Sequence, residues 1–368
     1  MKKHKNINDK IRIAEVVGEP DTGEVVSIMN FYKHINKDKF SIDLFSYGKG
    51  KFDAYVNSTG GRVIYYKSVL RIFSSTFKLI KYFKKNEYDI VHVHMTSYSF
   101  IPLFAAFLAG VKVRVCHAHK ITNKYEGFIH YFQNLIKPLC KLFATHLIGC
   151  CKDSNIYMYG KKKGSKAFVI NNAIDLNDFN LVNVEIDLKK QYKLTDEKII
   201  GTAGFYTKQK NQAFLIESFS KMEDKNAHLF ILGKGPLEKK LRQKARELGV
   251  QNRVHFAYSD NIIDFYSIFD LFVLPSKFEG LPLVLIEAQA VNIPCIVSNN
   301  VTKDANITGA CQYFDIDSTE KFSKVLNDNL NAPKIENGAE IVRSKGYDIS
   351  REAEKLEYFY LSIIHRKK

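Results

Sequence analysis

Apolar residues in this chain fall into short continuous runs. Between them lie longer stretches in which apolar positions recur every three or four residues. The runs at 11–17, 40–45, 62–66, 89–94, 112–116, 146–150 and 167–170 read as strands, and residues 24–35, 71–85, 126–143 and 152–159 as helices. A second series follows, with strands expected at 198–204, 229–232, 253–256, 270–274, 295–298 and 311–314. Helices are expected after Asn211, at 237–248 and from Pro282 to about Ala290. Strand and helix alternating in this way predict parallel sheets covered by helices, in two successive units. A last helix over 351–365 carries an apolar stripe at Leu356, Phe359, Ile363 and Ile364.

At 368 residues with 45% apolar content the chain can bury two cores. Its six cysteines show no C-x-x-C or zinc spacing and sit mostly in apolar runs, which suits buried thiols in a reducing compartment. The basic start, 2–10, leads into a polar segment, so no signal peptide is expected. The most apolar stretch, 100–115, is interrupted by Pro102, Gly110, Lys112 and Arg114 and is too short to span a bilayer. The net charge of +16 is uneven: residues 1–180 hold 28 Lys and Arg against 14 Asp and Glu. A basic first half predicts an anionic partner such as a membrane surface, with general lysine enrichment as the alternative. Residues 71–85 fit a basic amphipathic helix that could lie on anionic lipid or simply be solvated on one side. No nucleic-acid motif accompanies it, so no nucleic-acid partner is expected.

Residues 270–298 carry the sharpest chemistry. A strand ends at Pro275 and Ser276, a loop contains Glu279 and Gly280, and Pro282 stands where a first helical residue is expected. A helix N-terminus offers N–H groups and partial positive charge to a diphosphate. Glu287, roughly 7 Å further along the axis, could accept both hydroxyls of a ribose attached to it. Glu279, before the helix, would face the other end of such a ligand. Two glutamates eight apart could equally be surface charges.

The whole string PSKFEGLPLVLIEAQA resembles the E-x7-E signature of the retaining glycosyltransferases of family 4, the group 1 transferases. That resemblance implies a GT-B fold: two Rossmann-like doubly wound α/β domains facing across a cleft. It implies transfer of a sugar from a nucleoside diphosphate sugar with no metal and no other cofactor. It makes Glu287 the ribose ligand, Glu279 the residue at the donor sugar, and Gly280, Leu281 and Leu283 parts of the diphosphate seat. The expected domains are 1–175 on the acceptor side, 183–345 on the nucleotide side, and a 346–368 helix returning to the first, with the linker near 172–182.

The resemblance extends to Gly204-Phe205-Tyr206-Thr207-Lys208-Gln209-Lys210-Asn211, where the family pattern has Gly-Arg and later Lys-Asn. Lys210 matches the lysine that grips the donor diphosphate, and Gly204 the glycine. Phe205 replaces the arginine, which puts donor handling in doubt; Lys208 could substitute but lacks the bidentate fork. RVCHAHK resembles the segment whose histidine lies beside the donor sugar, with His117 the better match and His92 and His119 supporting neighbours. The two H-x-H pairs could suit zinc, but no carboxylate or cysteine stands at ligand spacing, so no metal is expected. Gly23 could bring backbone to substrate or only make a turn; the loop reads GEPDTG rather than G-x-G-x-x-G, which argues against a nicotinamide enzyme. Asp315-Ile316-Asp317 spells D-x-D but precedes a helix, where capping is expected.

The resulting expectation is a retaining transferase that moves a hexose or N-acetylhexosamine, with UDP favoured as carrier. Its expected acceptor is a saccharide, lipid-linked as the family resemblance implies, in cell-surface polysaccharide synthesis. It would act in the cytoplasm or peripherally on the membrane. A degenerate GT-B partner subunit is the rival that the missing arginine motivates; an epimerase or phosphorylase of the same fold is a third.

Overall fold

The computed structural model describes residues 10–66, 72–119, 128–179, 187–259 and 261–365. Of the expectations above, residues 2–9 of the basic start, Arg71, Glu126, the linker residues 180–182 and the closing Arg366, Lys367 and Lys368 lie outside the described residues.

The chain divides into two compact units, one of residues 1–173 with 349–368, the other of Ile174–Asp348. The first holds seven strands: β1 Ile11–Val16, β2 Phe40–Ser46, β3 Val63–Tyr65, β4 Ile90–Val93, β5 Val113–Ala118, β6 His146–Gly149 and β7 Phe168–Val169. They form one sheet in the order β3-β2-β1-β4-β5-β6-β7, every pair parallel. The second unit holds β8 Ile199–Ala203, β9 His228–Leu232, β10 Val254–Ala257, β11 Leu271–Leu274, β12 Cys295–Ser298 and β13 Gln312–Phe314. Their order is β10-β9-β8-β11-β12-β13, again all parallel.

Each sheet therefore reverses direction once, between β1 and β4 in the first unit and between β8 and β11 in the second. Loops leaving the carboxyl ends of strands on either side of such a switch diverge and leave a crevice, where doubly wound folds bind ligands. The sequence motifs sit at these two places.

Each sheet is buried on both faces, which is why its strands read as unbroken apolar runs. In the first unit the helices Gly23–His34 and Ile349–His365 cover one face, with Ile13, Ile28, Phe31, Leu356, Phe359 and Tyr360 packed together. The helix that ends the chain thus belongs to the first unit. Its stripe is broader than the apolar pattern predicts, because Tyr360 is also fully buried. On the other face lie Ile72–Asn86, Phe100–Leu108, Phe128–Phe143 and Lys152–Tyr159.

Some local expectations are corrected. The apolar stretch 100–115 holds the helix Phe100–Leu108, with Phe107 and Leu108 exposed at its end, followed by β5 where a strand was expected; Pro102 fits because it falls in the helix's first turn. Between the α-helix Lys152–Tyr159 and β7 the chain adds a short basic helix, Lys161–Gly164. Ser318, not an aspartate of the D-x-D, caps the helix Thr319–Asn329 by accepting from Lys321 N. Asp317 instead pairs with Lys321 at 3.1 Å. All six cysteines are free thiols.

Candidate active site

At the switch point of the second unit, the loop after β8 and the loop after β11 are stitched together. Lys277 N donates to Gln209 O at 2.8 Å, Gln209 Nε2 donates to Phe278 O at 3.0 Å, and Asn211 Nδ2 donates to Pro275 O at 3.2 Å. Asn211 takes a left-handed conformation, φ 58°, which turns the chain from the first loop into the helix Gln212–Ser220. The stitching places two residues that lie 69 positions apart in contact: Lys210 Nζ is 2.8 Å from Glu279 Oε1. The ammonium meets this oxygen off the hydrogen-bonding direction, so the contact is an ion pair, and Oε1 has no hydrogen-bond partner of its own. Gln209 Nε2 donates to the other oxygen at 3.3 Å. The Lys210 and Glu279 side chains are 19% and 10% exposed, enough to meet a ligand while shielding their mutual charge.

Gly204 earns its place sterically. Its φ is 147°, and a Cβ there would stand 2.9 Å from Lys210 Cε, so the bare glycine lets the lysine stem cross it. Behind it the turn after β9 packs equally close: a Cβ on Gly233 would lie 2.2 Å from Gly204 O. Lys208 and Phe205 are exposed on the same loop, Phe205 by 50%. Ser276, fully buried with a hydroxyl that has no protein partner, opens the loop after β11; sequence reasoning did not single it out.

The helix expected to begin at Pro282 runs Leu283–Ala290, with Pro282 as its extended N-cap. Pro282 still contributes its carbonyl, which accepts from Leu285 N at 3.0 Å. Leu281 and Leu283 are half-buried and pack into the apolar cluster with Ile174, Leu176 and Ile286, so their side chains hold the helix start while the backbone N–H groups face outward from it. Gly280 lies in the turn before them. Glu287 accepts from Tyr266 Oη at 2.9 Å. Burial pushes its carboxyl up to about 7, against the lowering effects of that hydrogen bond and of the Lys210 charge. Tyr266 itself is buried and also donates to Val284 O. Beyond β10, half-exposed Tyr258 has the Lys234 ammonium 4.6 Å from its ring centre.

The other switch point carries His117. Parallel register sets Glu15 of β1 beside His92 of β4, and the two-residue period puts His94, His117 and His119 on the same face. His94 Nε2 meets Glu15 Oε2 at 2.7 Å, His92 Nδ1 meets Tyr360 Oη at 2.6 Å, and Tyr360 Oη donates to Glu15 Oε1 at 2.9 Å. No carboxylate stands at ligand spacing in the sequence, and the one that meets the histidines, Glu15, comes from a strand far away in sequence. Candidate ligand nitrogens of His92, His94 and His117 lie within 4.8 Å of one another, close enough for one ion, though each ring already has a side-chain partner. Gly23 begins the helix Gly23–His34 in this same unit, capped by Thr22; a Cβ on it would meet nothing within 4 Å.

Two parallel doubly wound units, with the sequence motifs at the strand ends beside each switch point, make the GT-B fold, and the family follows from the comparisons. The family model described as glycosyl transferases group 1 matches residues 183–336, and that described as glycosyltransferase family 4 matches 22–178. The chain belongs to this family. A Bacillus subtilis (strain 168) protein assigned as a glycosyltransferase, EpsF, is 31% identical over 76% of this chain and 77% of its own length. A UDP-Gal:alpha-D-GlcNAc-diphosphoundecaprenol alpha-1,3-galactosyltransferase of Escherichia coli is 27% identical over 99% of this chain and 100% of its own. The capsular polysaccharide biosynthesis glycosyltransferase CapH of Staphylococcus aureus is 27% identical over 81% and 82%. In fold, the chain resembles Anabaena Alr3699/HepE in complex with UDP-glucose, with TM-score 0.79, 16% identity, and 95% of this chain and 99% of that one covered. The protein is thus a glycosyltransferase of the kind found in capsule and polysaccharide biosynthesis.

Proposed function

We propose that this chain is a retaining, metal-independent transferase that moves a hexose or N-acetylhexosamine from a UDP sugar to a saccharide acceptor, lipid-linked through a diphosphate. The observation that carries the reading is the Lys210–Glu279 ion pair beside the Leu283 helix start, with Glu287 further along the same helix. The UDP-glucose complex of HepE and the diphosphoundecaprenol substrate in the E. coli relative's name support the donor and acceptor classes. Lys210 and the helix N-terminus supply positive charge to the departing diphosphate, the part a metal plays elsewhere. As the C1–O bond loosens, Glu279 faces the sugar and Glu287 holds the ribose.

Calorimetry with UDP, GDP and their common sugars, with and without EDTA, tests this on wild type and Phe205→Arg. Micromolar UDP binding that EDTA leaves unchanged is expected, with the arginine variant tighter by about tenfold through an added phosphate contact. Absence of wild-type binding, rescued by the arginine, would instead support a degenerate partner subunit.

Membrane attachment belongs to the same proposal. The neighbouring helices Ile72–Asn86, Phe100–Leu108 and Phe128–Phe143 leave Phe77 75%, Tyr131 69%, Leu135 64% and Leu142 69% exposed. Lys78, Lys81, Lys84 and Lys85 are exposed on the first of these helices. Tyr131, Leu135 and Leu142 share one face at helical spacing, a pattern that suits an anionic bilayer surface. None of the described helices is long and apolar enough to cross a membrane. Liposome sedimentation should show binding to anionic but not neutral vesicles, falling by about tenfold or more when Leu135 and Leu142 are both changed to Glu. Equal binding to both vesicle types would remove the argument.

A further inference from the structure

Hydrogen-bond accounting around Glu15 determines where the protons sit. Glu15 is 6% exposed, and burial opposes its charge. Its neighbours His92 and then His94 overcome that and hold its carboxyl far below the usual range. An ionised carboxylate only accepts. Tyr360 therefore spends its one proton on Glu15 Oε1, and its oxygen must accept from His92 Nδ1–H, 2.6 Å away. Where His92 carries this one proton only, its bare Nε2 accepts from His117 Nδ1–H, 3.2 Å away. His117 is left with a bare Nε2, and that atom is buried with no protein partner. Burial first, and then the neighbouring His119, His94 and His92, keep His117 far from protonation. A second arm runs the same way: His94 Nε2–H donates to Glu15 Oε2, and His94 Nδ1 accepts from His119 Nε2–H at 2.8 Å. Glu15, His92, His94, His117 and His119 form one side of a small, otherwise apolar cavity of about 20 Å³, whose other walls include Ile28, Phe31 and Leu356. That is room for roughly one hydroxyl or water.

We propose that Glu15, Tyr360 and His92 are positioning residues. They form a relay that holds His117 as the Nδ1–H tautomer, so that a lone pair at Nε2, not an N–H, meets a substrate hydroxyl. Neutral imidazole in water favours neither arrangement strongly, so the tautomer must be imposed by what the other nitrogen touches. Here it is imposed from the last helix of the chain as well as from the first strand, because Tyr360 and Glu15 are 345 residues apart.

Only the role of the lone pair rests on the sugar-transfer reading; the tautomer does not. Long-range 1H–15N spectra of the full-length protein with 15N-labelled histidine at pH 7.5 read it directly. His92→Phe and His117→Gln variants assign the signals. The expected result is His92 and His117 neutral with the proton on Nδ1, and His94 and His119 neutral with it on Nε2. A doubly protonated His92, or a proton on His117 Nε2, overturns the relay. In Glu15→Gln the His117 signals should move toward a mixture of tautomers; an unchanged His117 would show that Glu15 does not set it. With an active donor and acceptor pair, His92→Phe should lower kcat by tenfold or more while KM for the nucleotide sugar stays within about threefold. An unchanged kcat would overturn the role in turnover. An inactive wild type with the expected tautomers would count against the sugar-transfer reading alone.

Discussion

Glu279→Ala should lower the transfer rate by about 10²–10³-fold, the range typical for removing one preorganised electrostatic contact at a reacting centre, while UDP affinity changes by no more than about threefold. The reason lies in the ion pair. In the wild type the Lys210 ammonium stands 2.8 Å from Glu279 Oε1. Removing the carboxylate frees the lysine for the diphosphate, so the nucleotide keeps or gains a partner while the sugar loses one. Lys210→Ala should behave differently. In the proposed role it deletes the charge meant for the leaving group, and it leaves Glu279, 10% exposed, without its counter-ion. Turnover and UDP affinity should then both fall, turnover again by about 10²-fold or more. Turnover and UDP calorimetry on the two variants decide the assignment. If Glu279→Ala abolished nucleotide binding and Lys210→Ala spared it, the roles would have to be exchanged.

Glu287→Gln should make the second unit more stable and the enzyme a poorer binder. In the folded protein burial raises the Glu287 carboxyl from its usual 4.5 to about 7. Below about pH 4.5 the group is protonated in both folded and unfolded chains and costs nothing. Between about 4.5 and 7 the unfolded chain releases its proton first, which favours unfolding, and above 7 the full cost is present. At 1.36 kcal/mol per unit the cost reaches at most about 3 kcal/mol. Gln keeps an oxygen that can accept from Tyr266 but carries no charge. The variant's melting temperature should therefore exceed that of wild type by several degrees at pH 8 and match it near pH 4.5. UDP should bind about ten- to a hundredfold more weakly, because ribose hydroxyls lose a charged acceptor. Thermal unfolding at the two pH values together with calorimetry is the measurement. A variant less stable than wild type at pH 8 would mean that the carboxylate is structural rather than held ready for a ligand. The balance fits a functional site that costs stability.

Much of this was legible in the sequence because it is local. Strand and helix periods, the Gly204 loop and the strand–loop–helix over 270–298 depend on neighbouring residues, and the described strands lie where the apolar runs put them. Local reading failed where a choice between close alternatives is settled by packing. Examples are Ser318 rather than Asp317 as cap and Pro282 as N-cap rather than first helical residue.

The sequence by itself determined two α/β units, the family, and the residue types available at each strand end. Tertiary structure alone decided which of them meet. Strand order is non-local: β1 lies beside β4, and β8 beside β11, although other strands intervene in the chain. That order pairs Glu15 with His92, joins Lys210 to Glu279, and brings Tyr360 back from the end of the chain to complete the histidine cluster. No spacing rule reaches across such distances, because contacts there are set by the register of parallel strands and the packing of helices over them.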